Sequence, residues 1–355
     1  MHTVAGYGPA EPLAVVGGRL LTGLVDVTSD LSALDSSGFW AVVLPFEGAP
    51  TCARFADVRP ATPWRGRPWQ GPERDSWTSS LDAAQFAAGV DEIRAVIAAG
   101  GVYQVNLTRR LSAPLTASSS IPALGAALAQ GNPAPFSGVV HLPAQGVHLA
   151  SASPELFLAR HGDLVESSPI KGTAATVDGF LAKDSAENVM IVDLVRNDLG
   201  RVCVTGSVEV PALLAKEPHP GLFHLVSTVR GRLRPGLGWP DLVAATFPPG
   251  SVTGAPKLAA LEVIARLEPV PRDLYCGAIG WVDADRDEGE LNVAIRTFWV
   301  ADGSLHLGTG GGITWDSDPA GEWAETELKA ANLLRVASPN GADPARSRTG
   351  GIGAP

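Results

Sequence analysis

The 355-residue chain carries a formal net charge of −10 and no Lys/Arg cluster, which argues against a nucleic-acid partner. Hydrophobic residues make up 45% and charged residues 18%, as in a globular protein with a sizeable core, and no run of about 18 uncharged apolar residues is present to span a membrane. Cys52, Cys203 and Cys276 lack the spacing of a disulfide framework or zinc site, and the N-terminus lacks a basic stretch followed by an apolar run, so a cytoplasmic protein without a signal peptide is expected.

Residues 1–78 alternate short apolar runs (13–16, 20–27, 40–46, 52–58) with turn residues and read as strands of a β-rich body. A Pro/Trp/Arg-rich connection follows at 60–77, and no catalytic constellation occurs in this region. From Ser80 the period changes. Phe86, Val90, Ile93 and Ile97 at i, i+4, i+7 and i+11 predict a helix stopped by Gly100 and Gly101, and residues 102–108 alternate as a strand. Residues 111–148 are rich in Ala, Pro and Leu and carry no functional signal.

The stretch 151–173 organises the rest: Ser-Ala-Ser-Pro-Glu-Leu-Phe-Leu-Ala-Arg-His-Gly-Asp-Leu-Val-Glu-Ser-Ser-Pro-Ile-Lys-Gly-Thr. Apolar runs on either side of His161-Gly162-Asp163 predict two strands and a tight turn. With Arg160 opposite Leu164, Glu155 falls opposite Pro169 and Lys171 lies one diagonal step away, a separation of roughly 7–8 Å. A carboxylate and an amine would then flank a space about one six-membered ring wide, and Gly172 would break the strand and let backbone N–H groups approach a ligand. From these residues alone a second reading stands beside it, in which Lys171 is a solvated strand-end lysine and Glu155 its surface partner.

Residues 184–200 read as one helix closed by Gly200, with Asp184 and Glu187 on one face; such pairs ordinarily are solvated or complement the helix N-terminus. The stretch 246–257 fails the spacing of a phosphate loop, and Pro256 removes a donor. Residues 275–281 and 291–297 read as paired strands around an acidic loop. Arg296 interrupts an apolar run, where its guanidinium needs either a structural acid or a bound carboxylate. Gly310, Gly311 and Gly312 precede a helix begun by Pro319 and are a candidate anion cradle. On that helix Glu322, Glu325 and Lys329 share a face, and the four carboxylates Asp184, Glu187, Glu322 and Glu325 suit a hard cation. Residues 338–355 read as a disordered tail.

Ser-Pro-Glu-Leu-Phe at 153–157 followed by Pro-Ile-Lys-Gly-Thr at 169–173 resembles the chorismate-utilising enzymes, the family of anthranilate, isochorismate and salicylate synthases. The lysine form of the second motif is similar to component I of the aminodeoxychorismate synthases, where other relatives usually carry alanine. Further motifs follow in family order: Tyr-Gln-Val-Asn-Leu-Thr at 103–108, Asp-x-x-Glu at 184–187, Val-Asp-Leu-x-Arg-Asn-Asp at 192–198, His-Leu-Val-Ser-Thr-Val at 224–229 and Gly-Ser-x-Thr-Gly-x-Pro-Lys at 250–257. The chain departs from the family between Thr173 and Lys183, where it is shorter and lacks the usual arginines.

The resemblance implies an α+β fold of two large packed β-sheets flanked by helices, with 79–337 as the chorismate-binding core and 1–78 part of the same body. It implies Lys171 and Glu155 as catalytic residues. Gly172, Thr173, His224, Thr253, Gly254, Tyr275, Arg296, Gly310, Gly311, Gly312 and Lys329 would contact substrate. Glu187 and Glu325, with Asp184 and Glu322, would hold Mg²⁺. Gln104 stands where isochorismate and salicylate synthases use a water-activating lysine, which disfavours those activities. The implied reaction joins chorismate and ammonia into 4-amino-4-deoxychorismate, with the ammonia supplied by a separate glutamine amidotransferase subunit. Anthranilate synthase component I and a non-catalytic chorismate-binding subunit are the alternatives.

Overall fold

The computed structural model describes residues 7–339 apart from 117, 175, 220 and 221; most of the expected tail, from 340 on, lies outside the described residues. Ser338, at its start, is buried, and its hydroxyl accepts from Trp77 Nε1 at 3.0 Å.

The chain opens with β1 (Leu13–Val16), β2 (Arg19–Thr28), β3 (Phe39–Leu44), β4 (Thr51–Pro60) and the short β5 (Thr78–Ser79). Gly17 and Gly18 join β1 to β2 in a two-residue turn with φ of 54° and 70°, the left-handed pair that such a hairpin requires. Helix α1 (Ala83–Ala98) starts at a reciprocal Asp82–Gln85 capping box and buries Phe86, Val90 and Ile93, the face that the sequence period predicts. Then come β6 (Gln104–Pro114), α2 (Ile121–Gly131), β7 (Phe136–Leu142), β8 (Val147–Ser153), β9 (Leu156–His161), β10 (Leu164–Ser168), β11 (Ile170–Ala174) and α3 (Ala182–Gly200). Helix α3 ends at Gly200 as expected, though without a left-handed glycine cap: Arg201 caps the helix in right-handed geometry. The remainder is β12 (Glu209–His219), β13 (Leu222–Arg232), α4 (Trp239–Thr246), β14 (Gly254–Ala255), α5 (Lys257–Leu267), β15 (Ala278–Asp283), β16 (Glu288–Val293), β17 (Thr297–Ala301), β18 (Ser304–Ile313) and α6 (Pro319–Ala337).

Every ladder between these strands is antiparallel, and together they form one continuous hydrogen-bonded path. One half runs β13–β10–β9–β16–β15–β3–β4, with β11 and β12 also on β13. The other runs β7–β8–β17–β18–β6, with β5 and β14 on β6; β2 and β1 bridge the halves. The two packed sheets of the expected α+β fold are thus two halves of one ladder. Val140, Leu142, Leu149 and Trp299 from the second half share a core with 39–44 and 278–282 from the first. Helices α2 and α6 cover the second half over a separate core that includes Leu124, Phe298 and Leu333, while α3 lies on β13 and β11.

Candidate active site

Glu155 lies in the short link between β8 and β9, only 4% exposed, with its carbonyl accepting from Val293 N at 3.0 Å. The hairpin that follows differs from the expected register by one residue at the turn: Arg160 pairs with Val165, not Leu164. A bulge between Glu166 and Ser168 then restores the offset, so that Leu156 faces Ser168 and the Ile170 N–H reaches the Glu155 carboxyl. Because strand side chains alternate faces, a one-residue slip without the bulge would have turned one group of the pair away.

Lys171, half-buried on β11, donates from Nζ to the carbonyl of Ser251 at 2.7 Å. Ser251 and Glu155 line the same cavity, and the Ser251 side chain acts to lower the pKa of the Glu155 carboxyl. Burial pushes Glu155 up from the usual glutamate range, and Ser251, Lys171, the Ile170 N–H and Arg296 only partly offset it. No direct ion pair joins Glu155 to Lys171 among the described residues. Glu155 and Ser251 line one cavity together with Phe157, Asp198, Thr246 and Gly250. An ion pair closes this region: Lys257 Nζ lies 2.6 Å from Asp198 Oδ2 and 2.9 Å from the Thr246 carbonyl, tying the 250–257 stretch to α3.

Arg296 sits between β16 and β17 at φ +50°, a backbone conformation that a non-glycine residue holds only when its surroundings impose it. Burial lowers its pKa and Glu155 raises it in part; no hydrogen bond to its guanidinium occurs among the described residues. Tyr275 is buried against β18, where a Cβ on Gly308 would lie 2.0 Å from its ring. It lines a different cavity, with Thr108, Glu268, Arg272 and Trp299, so this structure does not bring it onto the Glu155 cavity. His224 is buried on β13 opposite the backbone of Thr173, whose side chain lies outside the described residues. Thr253 is fully buried; its hydroxyl donates to the Pro249 carbonyl at 3.1 Å. Gly254 has φ +148°, and a Cβ there would lie 2.2 Å from the Gln104 carbonyl.

The three glycines expected to form a cradle at a helix start stand elsewhere. Gly310, Gly311 and Gly312 are inside β18, paired with Thr108, Leu107 and Asn106, and a separate loop leads into α6. Close approach explains them: a Cβ would meet the Leu107 carbonyl at 2.5 Å from Gly310 and Gln104 Nε2 at 1.9 Å from Gly312. Gln104 is itself buried, with Oε1 lacking a partner among the described residues. Lys329 donates to the Gly310 carbonyl at 3.0 Å and pairs with Glu325 at 2.7 Å.

Of the four expected metal ligands, Asp184 has the ordinary role: its Oδ2 accepts from Leu181 N at 2.8 Å and caps α3. Gly172, at φ +91°, allows this approach, since a Cβ there would lie 2.8 Å from that of Asp184. Glu187 on α3 and Glu322 and Glu325 on α6 are close enough to act on one another electrostatically. Burial raises Glu187 and Glu322, with the neighbouring carboxylates adding to it; burial also pushes Glu325 up, but Lys329, Lys183 and Lys171 outweigh it and hold Glu325 below its usual range. No group of three His, Cys, Asp or Glu side chains gathers into a ready ligand set among the described residues. Mg²⁺ takes one or two carboxylates and completes its octahedron with substrate and water, so Glu187 and Glu325 fit it. Gly311 keeps the space beside Glu322 open, where a Cβ would lie 3.0 Å from Oε2.

Three contributors escaped the sequence reading. Ser251 lay inside a quoted motif, but the contact of its carbonyl with Lys171 has no sequence signature. Lys183 was legible only as the end of a shortened loop, yet its charge acts on Glu187, Glu322 and Glu325. Asn188 is fully buried and bonds the Leu225 carbonyl at 2.9 Å and the Ser227 hydroxyl at 2.5 Å, fixing α3 on β13 one residue from Glu187.

The fold is shared with anthranilate synthase component I from Streptococcus pneumoniae TIGR4, at TM-score 0.73 and 24% identity over 93% of this chain and 91% of that one. Residues 61–335 match the model of the chorismate binding enzymes, and the chain belongs to that family. It is 42% identical over 271 residues to anthranilate synthase component 1 of Streptomyces coelicolor, covering 73% of this chain and 52% of the relative. It is 37% identical over 296 residues to aminodeoxychorismate synthase component 1 of Escherichia coli K12, covering 79% and 64%. The chain therefore spans between about half and two thirds of the length of these relatives.

Proposed function

We propose that the chain is an aminodeoxychorismate synthase component I, which converts chorismate and ammonia into 4-amino-4-deoxychorismate and water. The observation that carries this reading is Lys171, a half-buried amine held by the Ser251 carbonyl, whose charge acts on the buried carboxyl of Glu155. In the proposed first step the Lys171 amine forms a bond to ring C2. The two ring double bonds shift along, and the C4–O bond breaks with its electron pair. Glu155, whose burial favours the protonated form, delivers a proton to the departing hydroxyl, which leaves as water. Ammonia then bonds to C4, the double bonds shift back, and the C2–N bond breaks to release Lys171. Glu155 takes up the proton lost from the incoming nitrogen.

Arg296, with its guanidinium free of hydrogen bonds among the described residues, would bind a substrate carboxylate in bidentate fashion. Glu187 and Glu325 would hold Mg²⁺, which neutralises the ring carboxylate when bound. Ammonia would come from a separate glutamine amidotransferase subunit, in keeping with the component 1 names of the relatives.

The second reading is anthranilate synthase component I, favoured by the 42% identity to the Streptomyces coelicolor relative. Lys171 separates the two, because the anthranilate-type relatives usually carry alanine there. Incubation of the purified protein with chorismate, Mg²⁺ and ammonium is expected to yield the 4-amino product; anthranilate as the main product would establish the second reading.

A further inference from the structure

We propose that the cavity beside Glu155 is the site that holds ammonia for its attack on the ring. The proposal rests on the reading of Glu155 as acid and then base at C4. One carboxyl protonates the departing hydroxyl and takes the proton of the incoming nitrogen, so both small molecules pass on its side of the ring. Glu155 is part of the cavity wall. The cavity has about 20 Å³ of room for the centre of a water-sized molecule, where about 10–15 Å³ suffices for one. Ammonia is of that size, and the ring of the substrate is excluded. The location also sets the cavity apart from the space expected for the ring. Val195 on its wall lies about 12 Å along α3 from Glu187. Lys171, Arg296, Glu187 and Glu325 are not on the wall. Lys171 reaches the turn Gly250–Val252 through the Ser251 carbonyl at 2.7 Å, and Gly250 and Ser251 line the cavity.

The chemistry of the wall suits a neutral hydrogen-bonding molecule. Asp198 is already paired: its Oδ2 lies 2.6 Å from Lys257 Nζ, and that amine also donates to the Thr246 carbonyl at 2.9 Å. The pair leaves no net charge to hold an ammonium ion, and the apolar side chains of Phe157 and Val195 disfavour an unpaired cation further. Asp198 Oδ1 makes no hydrogen bond among the described residues, nor does the hydroxyl of Ser167, a wall residue that is 7% exposed. Together with the Glu155 carboxyl they offer oxygen acceptors for the three N–H groups of ammonia. The nitrogen lone pair, which forms the new bond to carbon, needs no partner in the wall.

The test varies ammonium at saturating chorismate and Mg²⁺, in variants first shown to melt as folded proteins. Val195→Ile on α3 and Ser167→Thr on β10 each add one carbon to the wall, whereas Val195→Ala removes two. In the narrowed variants we expect the ammonium KM to rise by about tenfold or more, the usual effect of one carbon in a fitted pocket, with little change in the chorismate KM. Val195→Ala should instead admit methylamine, its kcat/KM relative to that of ammonia rising by about tenfold or more over wild type. The two walls are changed independently, so a variant that fails to fold from overpacking leaves the others to decide. An ammonium KM unmoved in the folded narrowed variants is the result for a cavity that holds only structural water, and it overturns the proposal; so does a wild-type preference against methylamine in Val195→Ala. Product analysis in the same assays keeps the two readings apart. A raised ammonium KM with anthranilate as product upholds the cavity as the ammonia site and overturns only delivery to C4. The 4-amino product with an unmoved ammonium KM overturns the cavity and leaves the proposed reaction standing.

Discussion

Glu155 is a carboxyl held where its ionised form is disfavoured, and the consequence is measurable apart from catalysis. Its folded-state pKa is raised above the usual 4.5, chiefly by burial. Its contribution to stability is therefore fully present below that value and is lost as pH rises through the folded value. Glu155→Gln is expected to melt above wild type at pH 8, with the gap closing towards pH 4.5, while turnover is abolished. Equal pH dependence of melting in the two proteins would contradict this. The residue scale is also where the sequence was most readable. The hairpin pattern put Glu155 and Lys171 near one another, but from the residues alone a solvated pair stood beside the catalytic one, and the run of family motifs decided between them. Ser251 was not readable, since a carbonyl contact is available to any residue type.

At the scale of elements, α3 shows how the site depends on an anchor away from the chemistry. Asn188 joins the helix to β13 through a buried amide with two partners. Asn188→Ala leaves the Leu225 carbonyl and the Ser227 hydroxyl short of a partner, at a cost of about 1–3 kcal/mol. Denaturant unfolding should show that loss. Because Glu187 rides on the same turn, we also expect a higher Mg²⁺ concentration for half-maximal activity; an unchanged requirement would separate the helix anchor from the carboxylates. The elements themselves were largely legible, from the period of α1 to the hairpin around Gly162, whose turn is one residue shorter than expected. The errors came where pairing partners decide. The bulge at 166–168 depends on β13 as much as on the hairpin, and glycines 310–312 read as an anion cradle before a helix because only the opposing strand β6 reveals the crowding that excludes a side chain.

For the molecule as a whole, the continuous ladder puts the hairpin 156–168, the turn 250–252 and the helices α3 and α6 around one region, although they are far apart in sequence. Such an arrangement gives an acidic protein local cations where the proposed dicarboxylate substrate would need them: Lys171, Lys183, Arg296 and Lys329. Mg²⁺ would add to these. Excess chelator is expected to abolish turnover, and Glu187→Gln or Glu325→Gln should do the same at any attainable Mg²⁺; full activity in chelator would contradict the cation role. The sequence also lacks a cysteine–histidine arrangement of the glutaminase kind. The single purified chain is thus expected to use ammonium salts and not glutamine, and glutamine-driven turnover would be decisive against that expectation.

The central claim is covalent catalysis by Lys171, and the most direct measurement is product analysis of wild type and Lys171→Ala with chorismate, Mg²⁺ and ammonium. A protonated amine has no lone pair, so the proposed attack needs the neutral form of the Lys171 amine. Alanine removes it and leaves ammonia free to attack C2 directly. The account predicts 4-amino-4-deoxychorismate from wild type, and from the alanine variant none of it, with at most slow amination at C2. Formation of the 4-amino product by Lys171→Ala at the wild-type rate would contradict it.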